Sequence, residues 1–185
     1  MTGTGGLLMG KISRKNWILI WILGMTGQIC WNIENSWFNT FVYDKIAPEP
    51  AIVSWMVGVS AAVSTFCTFL VGTWGDRKGK RKPFICIGYI LWGIFTFIFG
   101  ATEMIPKNPL FIAAACVVLA DAVMSFFGSV GNDGGFGPWT TDISNEHNRG
   151  KLGGALAVMP VFATIFGAVV SGLIIDQIDF FAFFG

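Results

Sequence analysis

The chain has 185 residues, of which 54% are hydrophobic and only 12% are charged, whereas a soluble domain carries roughly a quarter charged residues. Polar surface cannot cover so apolar a composition, and the sequence therefore predicts an all-α integral membrane protein. The formal net charge of +1 argues against a nucleic-acid partner, because no basic face remains once Lys and Arg have set the membrane topology.

Five apolar segments are long enough to cross the bilayer, which takes ~20 residues. We predict helices over residues 17–42, 51–74, 83–102, 110–141 and 152–175. The fourth segment is too long for one straight crossing at ~1.5 Å per residue, and it contains five glycines and Pro138. We therefore expect a kinked or locally unwound helix there. The alternative is a helix that ends at Val130 and is followed by a glycine-rich loop.

The basic residues segregate strongly between the two sides that this topology creates. With the N-terminus inside, ten of the twelve Lys and Arg residues lie on the inner side, and only Lys45 and Lys107 lie on the outer side. Cytoplasmic loops of membrane proteins carry such an excess of positive charge. The sequence thus predicts a multi-pass protein of the cell membrane (the inner or plasma membrane) with a cytoplasmic N-terminus and cytoplasmic loops at 76–82 and 147–151.

The inner end of the second helix carries the most specific string, of the form G-x-x-x-D-[RK]-x-G-[RK]-[RK]. Its defined positions are Gly72, Asp76, Arg77, Gly79, Lys80 and Arg81. Gly79 permits a tight reversal between two helices, and Asp76 can cap the next turn or pair with Arg77 or a neighbouring bundle. The basic residues taken alone would indicate only a topology anchor. With its glycines and aspartate at these spacings, however, the string resembles the signature loop of the major facilitator superfamily at every position.

This resemblance implies part of a helical transporter. It predicts the N-terminal six-helix bundle of a facilitator fold, built from inverted three-helix repeats, with residues 1–185 ending before or in the sixth helix. A truncated gene, a fragment and one piece of a split protein are the alternatives for such a chain. We expect the chain alone not to transport, because a second half or a second chain would have to complete the cavity.

A row of amides marks the first helix. Gln28, Asn32, Asn35 and Asn39 are spaced by four, three and four residues, which places them within about 60° of one another on a helical wheel. Such a stripe is costly against lipid and has to face a cavity or another helix. Trp31 at its edge adds an aromatic face, a combination that suits the hydroxyls and ring of a sugar. Alternatively, the amides only hold helices together.

Three acidic residues lie within the predicted helices. Glu34 lies about 100° from Asn35 on the first helix, while Asn132 and Asp133 lie among the glycines of the fourth. Intramembrane carboxylates serve as proton carriers, cation ligands or hydroxyl acceptors. We therefore expect Asn132 and Asp133 to bind substrate, and Glu34 or Asp133 to couple a cation. Asp121, nearer the outer mouth, is interpreted as the more structural of the two aspartates.

The layout over residues 24–172 further resembles the glycoside–pentoside–hexuronide:cation symporters, the branch that includes the melibiose permeases. The anchors are Tyr43-Asp44, the 76–83 loop, and the run Asp133 … Asp142 … Arg149. In that register, Asp133 falls on a sugar-binding aspartate of the branch.

Other positions depart from the pattern of that branch. Gln28 replaces a second sugar-binding aspartate, and Ser64 and Thr68 stand where the sodium-binding aspartates are expected. Since residues 51–75 contain no acidic residue, this departure argues against sodium coupling of the melibiose type. It leaves proton coupling through Glu34 or Asp133, which we predict, or no coupling in this half of the protein.

The predicted function is therefore secondary active transport of a sugar or glycoside with a proton, by alternating access, in a protein that is not an enzyme and needs no cofactor. One alternative is a facilitator-type efflux pump for small amphipathic compounds. It is disfavoured because the fourth helix lacks an intramembrane Arg, and because the fifth helix has a lone Pro160 in place of the glycine–proline signature that is typical of antiporters. Another is a non-transporting membrane protein. No metal is expected, because the four cysteines have no ligand spacing and His147 lies in a polar loop.

Overall fold

The computed structural model describes residues 11–106, 108–171 and 173, and all regular structure within them is helical. Five rods follow one another along the chain. The first, α1, covers 14–46, and α2 covers Pro50–Lys78. The third, α3, covers Lys82–Gly100 and continues into a 3₁₀ turn at Ala101–Met104. The last two are α4, Leu110–Asp142, and α5, Arg149–Phe166, which continues into a π-turn at Gly167–Ser171.

Four of these rods are long and apolar enough to cross a membrane, with mean hydropathies between 1.7 and 2.3. They are Pro50–Lys78, Lys82–Met104, Leu110–Asp142 and Arg149–Val169. The rod α1 is equally long, but its amides and charged residues lower its hydropathy. Together with the composition, these helices confirm the predicted class of an all-α, multi-pass membrane protein. The predicted end of the fifth helix at residue 175, any sixth helix and Lys107 lie outside the described residues.

The helix ends follow local chemistry. Ser13 caps α1 by accepting a hydrogen bond from the Asn16 N–H at 3.2 Å. Pro50 opens α2 and Pro83 lies in the first turn of α3, where the missing N–H has no helical partner to lose. At the other end of α2, Gly79 has φ +61°, a left-handed conformation that glycine adopts without strain.

The π-turns place the polar residues of the long rods. In α1, π-turns occupy Glu34–Phe38 and Val42–Ile46. In α4, the helix continues beyond Val130 through a π-turn at Asn132–Phe136, so the alternative of a glycine-rich loop is wrong. The fourth helix is locally widened rather than broken. Its 33 residues span about 50 Å at ~1.5 Å per residue.

The rod α4 lies between α2 and α3, while α1 packs on α5 and meets α4 at its π-turn. The contact between α3 and α4 is close enough that a Cβ on Gly88 would meet the backbone of Gly131, as expected where small residues let helices approach in lipid. A buried aromatic cluster joins α1 to α3, where the rings of Phe38 and Phe99 stack at 4.1 Å. Large apolar side chains such as Phe111, which is 82% exposed, point outward.

Two ion pairs show which loops share an end of the bundle. Arg81, between α2 and α3, pairs with Asp142 at the end of α4, with 3.2 Å between Nε and Oδ2. Lys45 of α1 pairs with Glu103 beyond α3 at 3.3 Å. The loops at 79–81 and 143–148 therefore lie at one end and Lys45 at the other.

Candidate functional site

A cavity of about 830 Å³ opens between α1, α2, α4 and α5. Its lining combines polar side chains with apolar and aromatic ones. It is formed by Gly24, Gln28, Ser64, Thr65, Thr68, Phe69, Asn132, Asp133, Phe136, Gly137, Thr140, Leu156 and Met159. We call it the large cavity. It brings together three of the sequence-predicted substrate residues, Gln28, Asn132 and Asp133, which lie on two different helices.

The π-turn of α4 holds the acidic edge of the large cavity. Asp133 accepts a hydrogen bond from the Asn132 amide, with 3.1 Å between Nδ2 and Oδ1. The Tyr89 hydroxyl of α3 lies 3.2 Å from Asn132 Oδ1 and 2.9 Å from the Leu23 carbonyl oxygen of α1. Tyr89 thus contacts the oxygen of the Asn132 amide, while the nitrogen of that amide donates to the Asp133 carboxylate.

The wall formed by α2 presents hydroxyls rather than carboxylates. Ser64 and Thr68 both line the large cavity, and the Thr68 hydroxyl donates to the Ser64 carbonyl oxygen at 2.9 Å. That bond leaves the lone pairs of the Thr68 oxygen available as acceptors. The α2 wall of the cavity is therefore neutral and polar.

A second cavity of about 210 Å³ lies between α1, α2 and α4. It is lined by Trp31, Glu34, Asn35, Asn39, Met56, Val57, Ser60, Ala61, Ser64 and Asp121. We call it the small cavity. Ser64 belongs to the lining of both cavities, so the two compartments adjoin along α2. The small cavity holds Glu34 and three further residues that the sequence placed at the substrate: Trp31, Asn35 and Asn39.

Hydrogen bonds position the acidic groups of the small cavity. Glu34 Oε1 accepts from the Ser125 hydroxyl of α4 at 2.6 Å. Asp121 Oδ2 accepts from the Ser60 hydroxyl of α2, so Asp121 belongs to this compartment together with Glu34. Sequence reasoning did not bring these two acids together. One signal in the sequence was the four-residue spacing of Asp121 and Ser125, which puts both polar residues on one face of α4 and so indicates a polar contact of that face with another helix.

The row of amides on α1 divides among three environments. Gln28 lines the large cavity, and Asn35 and Asn39 line the small one. Asn32 instead donates to the Thr164 hydroxyl of α5 at 3.3 Å, and its side chain lies where a Cβ on Gly167 would stand. Asn32 therefore holds two helices together, as the alternative interpretation of the amide row expects, and does not line either cavity. The predicted spread of about 60° across the row is wide enough to reach different neighbours.

Trp31 does not reach the large cavity. Its ring lies against Trp92 of α3, with 5.2 Å between the centroids, and it lines the small cavity. The aromatic faces of the large cavity belong to Phe69 of α2 and Phe136 of α4. The sequence offered no periodic signal for these two phenylalanines, because α2 and α4 are rich in apolar residues on every face.

The loop string forms a charged cluster at one end of the bundle. Arg81 pairs with Asp76 and with Asp142, so the partner of Asp76 is Arg81, not Arg77. The Arg81 side chain, only 9% exposed, occupies the space beside Gly75. Burial lowers the pKa of Arg81, but the hydrogen bonds and charges of the two aspartates outweigh it and hold that pKa above its ordinary value. The cluster links α2, α3 and α4.

The other positions of the string lie at the surface. Arg77 and Lys80 are exposed, which suits contact with lipid headgroups. Gly72 has open space where a Cβ would stand, so no contact within the described residues requires a glycine there.

Helices long enough to cross a membrane, packed around polar cavities, define a multi-pass membrane protein. Residues 20–185 match the Major Facilitator Superfamily. Since this match covers most of the sequence, the chain belongs to that superfamily, a family of transporters that move small molecules across the lipid bilayer.

One curated relative is a drug-resistance protein. The multidrug resistance protein MdtH of Yersinia enterocolitica serotype O:8 / biotype 1B (strain NCTC 13174 / 8081) is 21% identical over 102 residues. The aligned part is 55% of this chain and 25% of that relative, so the match spans about a quarter of its length. No solved structure matches the chain.

Proposed function

We propose that the protein takes up a sugar or glycoside together with a proton, by alternating access, as a member of the melibiose permease-like branch. The large cavity carries this proposal. Its volume of about 830 Å³ falls within the range of ~300–1,000 Å³ that is usual for small-molecule sites. Amide, hydroxyl and carboxylate groups alternate with phenylalanine rings along its wall, and a polyhydroxylated ring requires both kinds of contact.

Each lining group has a definite role in this proposal. Asp133 accepts hydrogen bonds from two sugar hydroxyls, and Asn132 beside it offers both a donor and an acceptor. Gln28 binds the sugar from the opposite helix, α1. Phe69 or Phe136 packs against the apolar face of the ring. Ser64 and Thr68 complete the α2 wall with neutral oxygens, so these two positions offer no anionic oxygen to a sodium ion.

The remaining predicted residues act elsewhere in the protein. Trp31, Asn35 and Asn39 line the compartment of Glu34, while Asn32 holds α1 against α5. We also propose that the described helices form the N-terminal bundle of the transporter and that a second half or a second chain closes the large cavity. The N-terminus and the Asp76–Arg81 cluster lie in the cytoplasm of a cell whose plasma or inner membrane holds the protein.

Binding of a nitrophenyl glycoside to the full chain in lipid nanodiscs tests the sugar site. Gln28→Ala and Asp133→Asn are each expected to weaken binding by about fivefold or more, since every lost hydrogen bond to a buried polar group costs about 1–3 kcal/mol. Asn32→Ala is the matched control on α1 and is expected to bind normally. Equal affinities for all four proteins would reject the large cavity as the sugar site.

The coupling ion is tested in the same sample. Adding the glycoside in weakly buffered solution is expected to change the external pH, read with a soluble dye, if sugar and proton bind together. Binding that depends on sodium and leaves the pH unchanged would contradict proton coupling.

A second candidate function is export of amphipathic compounds. It is favoured by the similarity to MdtH, whose name describes multidrug resistance, and by the apolar part of the large cavity wall, including Phe69, Leu156 and Met159. Tetraphenylphosphonium is a suitable probe. If it binds the nanodisc sample saturably and the glycoside does not, the export function replaces the sugar function.

A further inference from the structure

The small cavity contains two acids from helices that are distant in the sequence. Glu34 lines it from α1 and Asp121 from α4. The Ser60 hydroxyl of α2, which also lines the cavity, donates a hydrogen bond to Asp121. Within the described residues, no Lys or Arg lines this cavity. Two ionised carboxylates would therefore place two negative charges in one confined space without a cation to balance them.

Both acids keep one oxygen available. Asp121 is only 2% exposed, and its Oδ1 atom is buried with no hydrogen-bond partner among the described residues. Glu34 uses Oε1 to accept from Ser125, while its Oε2 atom is equally buried and unpartnered. A buried carboxylate oxygen without a donor is costly. Each acid thus lacks one hydrogen-bond donor, in the same cavity.

The surrounding titratable groups do not supply the missing charge. Two further titratable groups lie within electrostatic range of Glu34: Cys30 on α1 and Asp133 on α4. Tyr89 of α3 lies within range of these two groups. All three are neutral or negative. The α2 side faces the cavity with the hydroxyls of Ser60 and Ser64.

We propose that Glu34 and Asp121 share a single proton and form the coupling site, in a compartment separate from the sugar. Two acids that line one cavity of about 210 Å³ without a balancing cation cannot readily both ionise, and one proton on the pair removes one charge. The protonated acid gains an O–H bond that can donate to a free oxygen of the other acid. Loading takes one proton from water, and release returns it to water, with no other bond made or broken.

This inference rests on the proposed proton symport and changes the roles within it. Asp121 becomes a partner of Glu34 instead of a structural residue, and Asp133 remains available to hold sugar hydroxyls. Because Ser64 lines both cavities, a movement of α2 on sugar binding changes the small cavity as well. The proton and the sugar can then be bound at the same time at neighbouring sites.

Infrared difference spectroscopy of the full chain in nanodiscs tests the shared proton. A change of pH, without sugar, is expected to reveal the C=O stretch of a protonated carboxylic acid as the pair takes up or releases its proton. Glu34→Gln and Asp121→Asn are each expected to lower the pH at which this band titrates, because the remaining acid loses its like-charged neighbour. Glu49→Gln, which changes an exposed acid, is the matched control and leaves the titration of the band unchanged.

Several outcomes would overturn the inference. These are the absence of such a band in the unaltered protein, an unchanged titration of the band in both single variants, and its loss on addition of sodium but not choline, which would assign the site to a metal cation. Isotope-labelled aspartate provides a check that needs no substitution, since it is expected to shift part of the band. The measurement uses no sugar, so failure of the sugar site leaves its result unchanged.

Discussion

Ser125 on α4 donates a 2.6 Å hydrogen bond to Glu34 on α1, although the two residues are 91 positions apart in the chain. Ser125 is completely buried, and Glu34 borders the small cavity. This bond joins the polar face of α1 to the centre of α4. The bond therefore holds the Glu34 carboxyl group of α1 against α4.

Ser125→Ala is expected to lower the free energy of unfolding by about 1–3 kcal/mol, because it leaves a buried carboxylate oxygen without its donor. Thermal unfolding in detergent, followed by circular dichroism, measures the change. Ser54→Ala is the control, since the exposed Ser54 bonds only to the Pro50 carbonyl oxygen of its own helix; its effect is expected to stay within about 0.5 kcal/mol. Equal losses in the two variants would contradict the role given to Ser125.

The loop between α2 and α3 depends on a left-handed residue. Gly79→Ala is expected to destabilise the protein by about 1–2 kcal/mol, because a Cβ strains the conformation at φ +61°. Gly72→Ala provides the contrast: Gly72 lies inside α2 with open space around it, and the alanine is expected to stabilise the helix by roughly 0.5–1 kcal/mol. A melting temperature that Gly79→Ala leaves unchanged or raises would show that the turn does not require glycine.

The close packing of α3 on α4 also depends on a glycine. Gly88→Ala is expected to cost about 1–3 kcal/mol, because the added methyl meets the backbone of Gly131, which cannot rotate aside as a side chain can. Gly93→Ala, on the same helix with nothing within 4 Å of the new Cβ, is expected to be neutral or stabilising. The melting temperatures of the two variants in detergent decide the question, and a tolerated Gly88→Ala would mean that the helices lie farther apart.

The proposed cytoplasmic position of the Asp76–Arg81 cluster can be tested by labelling. In a background without the native cysteines, Lys80→Cys is expected to react with an impermeant maleimide only after cells are permeabilised. Glu49→Cys, in the short connection at the other end of α2, is expected to react in intact cells. The reverse pattern would invert the topology derived from the ten-to-two distribution of basic residues.

Much of the fold could be predicted from the sequence because the physical causes are local. The number of apolar residues in a row decides whether a segment can cross the bilayer. The left-handed turn at Gly79 needs a residue without a Cβ, and the string around it identified the superfamily that the match over residues 20–185 confirms. The assignment to a sugar-transporting branch stays a proposal, since no comparison reaches that detail.

The candidate site was less accessible to sequence reasoning. A helical wheel put Gln28, Asn32 and Asn35 in one row, but it does not show what each residue faces. The structure places α1 against two cavities and α5, so a spread of about 60° is enough to give these three residues different neighbours. Two π-turns then alter the helical phase beyond Ile33.

The sequence by itself determined that the chain is helical, lies in a membrane and has a charged loop after α2, because hydropathy and turn preference are properties of neighbouring residues. Only the tertiary structure decided that Glu34 and Asp121 share a cavity and that Arg81 joins Asp76 to Asp142. These relationships depend on how α4 packs between α2 and α3. That packing arises from the summed shape of many side chains, which no local pattern encodes.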